Sequence, residues 1–288
     1  MARRHPGPEA YPPSGFPVPP ADPPPAAATL PRPPRTVADA WSWLVAAAVG
    51  FVVGYVLSAT VLVVVAQLNG HAGDLATLER LAVPPSWVVV SGLVGLWAGF
   101  LGAVTLSSKR WGTGRVLRDM HWGFRWWDPF LGLVTGVVGQ FVLLPIIYLP
   151  VSLFVPHLSQ RLSEPAKHLT GGFRGSDVAV IALLTVAVVP VVEELFFRGL
   201  VLRGFLRAFA GAGRVLGPVL AVVATGVVFG AAHVEPLEFL GLAAFGVVLA
   251  VLAYRCDRLG PSIFAHATFN LAAMLVVVYG GVVRVPVL

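Results

Sequence analysis

Seven uncharged apolar runs, at about 42–66, 84–106, 129–155, 178–192, 216–232, 239–254 and 259–283, limit what this chain can fold into. A helix needs about 20 apolar residues to cross the ~30 Å hydrocarbon core of a bilayer. Composition agrees: the chain is 57% hydrophobic and 12% charged, with mean hydropathy +0.81, whereas a soluble domain carries about 25% charge. The expected fold is all-α, a polytopic membrane helical bundle of seven or eight transmembrane helices. The fourth run is only 15 residues long before Glu193. Leu195, Phe196 and Phe197 continue its apolar character, so the span takes in the glutamates that follow. An amphipathic segment at 195–209, lying along the membrane surface, would supply the eighth helix.

The first 40 residues differ from the rest. Thirteen of the 25 prolines fall between Pro6 and Pro34, separated by Gly, Ala and Ser. So few core-forming residues cannot offset the entropy of ordering. Residues 1–40 are expected to form a disordered proline-rich cytoplasmic tail, and 41–288 the transmembrane helical domain. No apolar stretch follows Arg3 and Arg4 closely enough for a signal peptide. The single cysteine, Cys256, excludes an intramolecular disulfide and any cysteine-rich metal site.

The net charge of +6 does not imply nucleic-acid binding, because the basic residues sort by side. Alternate connections hold fifteen of the 20 Lys and Arg: Arg3 to Arg35, Lys109 to Arg125, Arg198 to Arg214, and Arg255 with Arg258. Five lie on the other side, Arg80, Arg161, Lys167, Arg174 and Arg284. The positive-inside rule places the N-terminus in the cytoplasm and the C-terminus outside. Trp111, Trp122, Trp126 and Trp127 crowd the second basic connection, where an interfacial aromatic belt belongs. Four glycine pairs, Gly50/Gly54, Gly95/Gly99, Gly132/Gly136 and Gly226/Gly230, have the spacing that allows helix backbones to approach closely.

Against this apolar background, Pro190-Val191-Val192-Glu193-Glu194-Leu195-Phe196-Phe197-Arg198-Gly199 is costly. Ionisable groups at membrane depth mark function by default. Residues four apart share a helix face and adjacent ones point about 100° apart, so Glu194 pairs with Arg198 while Glu193 points elsewhere. Glu193 then reads as a free carboxylate in an apolar setting, suited to a general base. Pro190 removes one helix hydrogen bond and leaves the Val186 carbonyl in need of another partner. Phe229 lies one turn before His233, so its ring walls the site that the imidazole faces. His266 and Asn270 share a face, and both can donate to a developing oxyanion. The chemistry this suggests is attack on a carbonyl by a Glu193-activated water, positioned or deprotonated with the help of His233. Glu194, Arg198 and Phe229 would support the site.

Three strings in order resemble one family. Glu193-Glu194-Leu195-Phe196-Phe197-Arg198 is similar to the E-E-x-x-x-R motif of the CPBP intramembrane proteases. Phe229-Gly230-Ala231-Ala232-His233 resembles its F-x-x-x-H motif, and His266-Ala267-Thr268-Phe269-Asn270 its H-x-x-x-N/D motif. That family includes the type II CAAX prenyl endopeptidases and bacterial Abi or bacteriocin-processing proteins, and the motif region spans 177–283. The resemblance implies a glutamate-dependent endopeptidase in which Glu193 and His233 activate water and His266 and Asn270 stabilise the oxyanion. It also implies an integral protein of a bacterial plasma membrane. Its partners would be the lipid bilayer and a peptide or prenylated protein substrate; no nucleic acid is expected, and oligomeric state is not readable.

Cofactors are expected to be none. Zinc is the rival, since Glu and His are also zinc ligands, but there is no H-E-x-x-H in the sequence. A non-catalytic immunity or scaffold protein would use the same cavity to bind a partner. A proton-coupled transporter also uses buried Glu and His, but the spans show no inverted repeat of the kind many transporters have. One length does not fit. On a helix over 178–197, Glu193 lies roughly 6 Å from the basic edge, while His233, on a helix starting at 216, lies roughly 25 Å from it. Either the fourth helix continues well past Arg198, or the fifth is tilted or displaced.

Overall fold

The computed structural model describes residues 37–71, 73, 85–170 and 176–279. The proline-rich segment before Val37 lies outside the described residues. Among the described residues, seven apolar helices form the bundle. They are α1 (Val37–Leu68), α2 (Ser86–Trp111), α3 (Asp128–Ser152), α4 (176–208), α5 (Leu216–Ala232), α6 (Phe239–Cys256) and α7 (Gly260–Tyr279). Five of them, α1 to α4 and α6, are long and apolar enough to cross a membrane; α5 and the stretch Gly260–Val276 of α7 are shorter apolar helices. The chain is an integral membrane protein with a polytopic helical fold. A single helical turn, Val116–Asp119, lies in the basic connection, and a polar helix, Leu158–Thr170, follows α3.

Segment 195–209 is not a separate surface helix. It continues α4, whose apolar stretch Ala179–Ala208 is 30 residues long. This removes the mismatch of depth. Glu193 precedes the end of α4 by 15 residues, a rise of ~22 Å, and the 17 residues of α5 rise ~25 Å from the same end. Glu193 and His233 thus reach nearly the same level. Arg198 leaves the set of connection residues and enters the bundle, where it is fully buried. The basic asymmetry then stands at fourteen against five.

Glycine spacing sets which helices touch. Gly50 and Gly54 of α1 face Gly99, Ala103 and Leu96 of α2, and a Cβ on Gly99 would collide with the Gly54 backbone. Gly132 and Gly136 of α3 meet Phe264, Ala265 and Thr268 of α7. Gly226 and Gly230 of α5 meet Ala243 and Val247 of α6. Lipid offers apolar side chains what a neighbouring helix offers, so association rests on close van der Waals fit, and all four pairs lie where backbones approach most closely. Outward-facing Val45, Val49, Val52, Val56 and Val63 of α1 are exposed, as a lipid-facing surface requires.

Two turns of α-helix widen to π-helix just ahead of a proline. Gly139–Leu143 precedes Pro145, and Leu184–Val188 precedes Pro190. Proline lacks an N–H, and its ring clashes with the carbonyl four residues back. A wider turn relieves that clash, and π turns cluster at functional sites. A third π segment, Leu195–Val201, carries Arg198.

An aromatic ladder joins α2 to the centre of the bundle. Phe100 stacks on Phe196 at 4.0 Å between centroids, Phe196 meets Phe197 edge-on at 5.0 Å, and Phe197 meets Phe229 edge-on at 5.1 Å. Such offset and edge contacts contribute beyond their buried area. At the basic end a second fixture sets the start of α7. Arg258 donates to Asp128 through Nη2 (2.6 Å) and Nε (3.1 Å), and the Arg125 backbone N–H adds a third bond at 2.7 Å. Asp128 is fully buried. Replacing one fork-facing oxygen with an amide leaves Arg258 with a mismatched partner, and a hydrogen bond to a charged group contributes about 1.5–3 kcal/mol. Asp128→Asn should therefore lower unfolding stability in detergent micelles by about 2 kcal/mol. A denaturation midpoint equal to that of wild type would show that the fork does not hold α7 in place.

Candidate active site

Four helices bring the polar residues together: α4 supplies Glu193, Glu194 and Arg198, α5 supplies Phe229 and His233, and α7 supplies His266 and Asn270, while α6 contributes backbone. Glu194 and Arg198 face each other along α4, with Arg198 Nη1 donating to Glu194 Oε1 at 2.7 Å, and both side chains are fully buried. The second amino group of Arg198 reaches the Gly246 carbonyl of α6 at 3.1 Å. The guanidinium carbon lies 4.4 Å from the centroid of the Phe229 ring, close enough for a cation–π attraction. Its charge is therefore met on three sides.

Glu194 also holds His266, whose Nδ1 is 3.0 Å from Glu194 Oε1. A carboxylate there accepts, so Nδ1 carries the proton and Nε2 is turned away from Glu194. Nε2 comes within 3.8 Å of Glu193 Oε2. That oxygen is buried and has no hydrogen-bond partner. Both glutamates bury an Oε2 that has no hydrogen-bond partner; they differ in that Glu194 Oε1 is tied to Arg198 and His266, while Glu193 only approaches the His266 imidazole.

Glu193 faces a cavity of about 170 Å³ lined by Tyr55, Leu96, Phe100, Glu193, Phe197, Ala232 and His233. His233 donates through Nδ1 to the Phe229 carbonyl at 2.8 Å, because a carbonyl can only accept. Its Nε2 is then the acceptor in the neutral ring. Phe229 packs against both imidazoles, with its ring centroid 4.8 Å from that of His233 and 5.6 Å from that of His266. A water occupies about 30 Å³, so the cavity has room for one water and the atoms of a peptide group.

Asn270 is not among the residues that line this cavity. Its amide donates to the Thr185 carbonyl at 2.9 Å. In a π turn the N–H of residue 190 would bond residue 185, and Pro190 has none. Asn270 therefore replaces the donor that Pro190 lacks. The carbonyl relieved is that of Thr185, one residue before the Val186 expected from α-helical geometry, because the turn has widened.

The sequence pointed to α4, α5 and α7 but not to the walls from α1 and α2. Tyr55 donates its hydroxyl to the Ala232 carbonyl at 3.1 Å, and Leu96 and Phe100 close the apolar side. None of these stands in a charged or proline-marked string. The Tyr55 ring, 4.9 Å from Phe51, stands in an uncharged apolar run that does not set it apart from packing.

The connection after His233 is strained and acidic. Val234 has φ +56°, in the left-handed region that a β-branched residue rarely adopts. Glu238, at the start of α6, is pushed up to about 7, first by burial and then by the negative charge of Glu235. Below its ordinary value of 4.5 the carboxyl is protonated whether the connection is folded or not. Above about 7 it is ionised in both states, and the folded connection bears a charge in a half-buried place. The folded form therefore loses stability as pH rises through that window. Melting temperature in micelles should fall across it for the wild type and less for Glu238→Gln; parallel profiles would remove Glu238 from the pH response.

Residues 175–272 match the family model of the type II CAAX prenyl endopeptidase Rce1-like proteins, the family whose motifs the sequence resembles. The matched stretch contains Glu193, Glu194, Arg198, Phe229, His233, His266 and Asn270 and leaves α1 to α3 outside it. No curated protein and no solved structure matches the chain. At the level of the family, the match supports a protease of the CAAX type in a lipid environment, acting on a peptide or protein substrate.

Proposed function

We propose that this chain is an intramembrane endopeptidase that hydrolyses a peptide bond of a membrane-associated protein or peptide with water activated by Glu193 and His233. One observation carries the reading: Glu193, whose carboxylate has a buried oxygen without a hydrogen-bond partner, lines a cavity that His233 also lines. Water placed there gives a proton to Glu193 as its oxygen bonds the carbonyl carbon, and His233 Nε2 accepts the second water hydrogen as a hydrogen bond. The C=O π electrons move onto oxygen. The proton on Glu193 is within a small rotation of His266 Nε2, 3.8 Å away. Its arrival there would make His266 a donor at the moment the oxyanion forms. The second amide hydrogen of Asn270, one turn from His266 on α7 and outside the cavity lining at rest, is the other donor proposed for that charge. Collapse of the intermediate returns a proton to the leaving amine as the C–N bond breaks.

The mechanism is proposed as metal-free. Among the described residues no three His, Cys, Asp or Glu side chains converge in a metal-holding group, and His266 already uses Nδ1 on Glu194. The N-terminus is proposed to be cytoplasmic, a reading that the basic asymmetry supports. Proteoliposomes holding the wild-type chain or Glu193→Gln, treated with chelator and given a membrane-anchored peptide library, test this reading. Hydrolysis by the first and none by the second is expected. If wild-type hydrolysis disappears on chelation and returns with zinc, the metal-free account fails; if both proteins leave the library intact, the binding or scaffold reading replaces it.

A further inference from the structure

Hydrolysis inside the cavity needs a hydrogen-bond donor aimed at the carbonyl oxygen, and the polar residues that line it are Tyr55, Glu193 and His233. Glu193 as a carboxylate accepts, and His233 has its N–H on the Phe229 carbonyl, so its free nitrogen also accepts. The donors of α7 are partly engaged, with His266 Nδ1 on Glu194 and the Asn270 amide on Thr185, and neither residue lines the cavity. The fully buried guanidinium of Arg198 is held by Glu194 and Gly246. The remaining donor on the cavity wall is the hydroxyl of Tyr55.

We propose that Tyr55, on α1 and outside the matched stretch 175–272, is a further catalytic residue whose hydroxyl donates a hydrogen bond to the oxyanion formed in the Glu193–His233 cavity. The inference rests on the endopeptidase reading above. At rest the hydroxyl donates to the carbonyl of Ala232, one of the last carbonyls of α5, which lack an intrahelical partner. That bond joins two neutral groups. A bond to an oxyanion is charge-assisted and roughly twice as strong, so rotation of the hydroxyl from Ala232 to the reacting oxygen is favoured only once negative charge develops. No proton is transferred in this step. The phenol keeps its hydrogen, and the electron pair on the former carbonyl oxygen accepts it. Since the stronger bond exists only in the transition state, it acts on kcat. Tyr55 also makes α1 part of the active site: the cavity is incomplete without a helix that the family match does not cover.

The test uses the full chain in proteoliposomes and whichever membrane-anchored library peptide wild type cleaves and Glu193→Gln does not. Tyr55→Phe keeps the ring against Phe51 and removes only the hydroxyl. It should lower kcat by about 10²-fold with KM within a few-fold of wild type. Loss of the Ala232 cap alone would appear instead as a lower melting temperature with kcat unchanged. The second arm places 3-fluorotyrosine at position 55. Fluorine makes the phenol a stronger donor, so kcat should stay at or rise above the wild-type value, whereas an acceptor or purely steric role predicts a fall. Tyr55→Phe with wild-type kcat beside an inactive Glu193→Gln overturns the assignment of Tyr55 and leaves the endopeptidase reading standing. Absence of any wild-type cleavage overturns both.

Discussion

Glu193→Gln should lower kcat by on the order of 10²–10⁴-fold, the range that a positioned general base contributes, while the protein inserts and melts like wild type. The amide matches the carboxylate in shape, so Leu96, Phe100 and Phe197 keep their packing. What is lost is the ability to take a proton from water. Stability should change little, because Glu193 Oε2 has no hydrogen-bond partner to lose. The contrast with Glu194→Gln is the informative part. Glu194 Oε1 is shared by Arg198 and His266, so its amide variant should weaken the fold as well as the reaction. Rates measured in proteoliposomes and melting temperatures in micelles decide between them. Equal stability losses at 193 and 194 would show that the adjacent carboxylates are not divided into a free and a tied one.

How far the sequence revealed this site follows from which forces leave marks on single strings. Hydrocarbon solvation did: each of the seven apolar runs coincides with an apolar helix among the described residues, five of them long enough to cross a membrane. Helical periodicity did so locally, because Glu194 to Arg198 and Phe229 to His233 are contacts within one turn. The fate of 195–209 was harder to see. Arg198, Arg203 and Arg207 read as charges at a membrane edge, yet Arg198 is fully buried with Glu194, and the Arg207 guanidinium lies 3.7 Å from the Trp43 ring centroid. Glu194 one turn away, with Gly246 of α6 and Trp43 of α1, makes those charges tolerable inside a longer helix. The role of Asn270 was hidden for a related reason. Its bond to Thr185 depends on a π turn beside Pro190 and on a contact across 85 residues. Tyr55 left no mark at all, because a single tyrosine in an apolar run reads as packing or as an interfacial ring until α5 is placed against it.

The largest effect on stability should come from breaking the pair between Glu194 and Arg198. Both side chains are fully buried, and leaving one charge uncompensated in such a place costs about 3–5 kcal/mol. Arg198→Met leaves the buried Glu194 without its cation, and Glu194→Leu leaves Arg198 without its bonded carboxylate. Each single variant should therefore melt well below wild type or fail to accumulate in the membrane. Removing both charges together should be far milder, since a well-packed apolar pair can replace a buried ion pair with little loss. Activity should not follow stability. In the double variant His266 no longer has an acceptor at Nδ1, so the orientation of Nε2 toward Glu193 is released while the helices still pack. A restored melting temperature with kcat still depressed by on the order of 10-fold or more is the expected result. Full recovery of both would mean that Glu194 serves the fold alone. A double variant no more stable than the weaker single would mean that the cost lies in side-chain shape and not in unpaired charge.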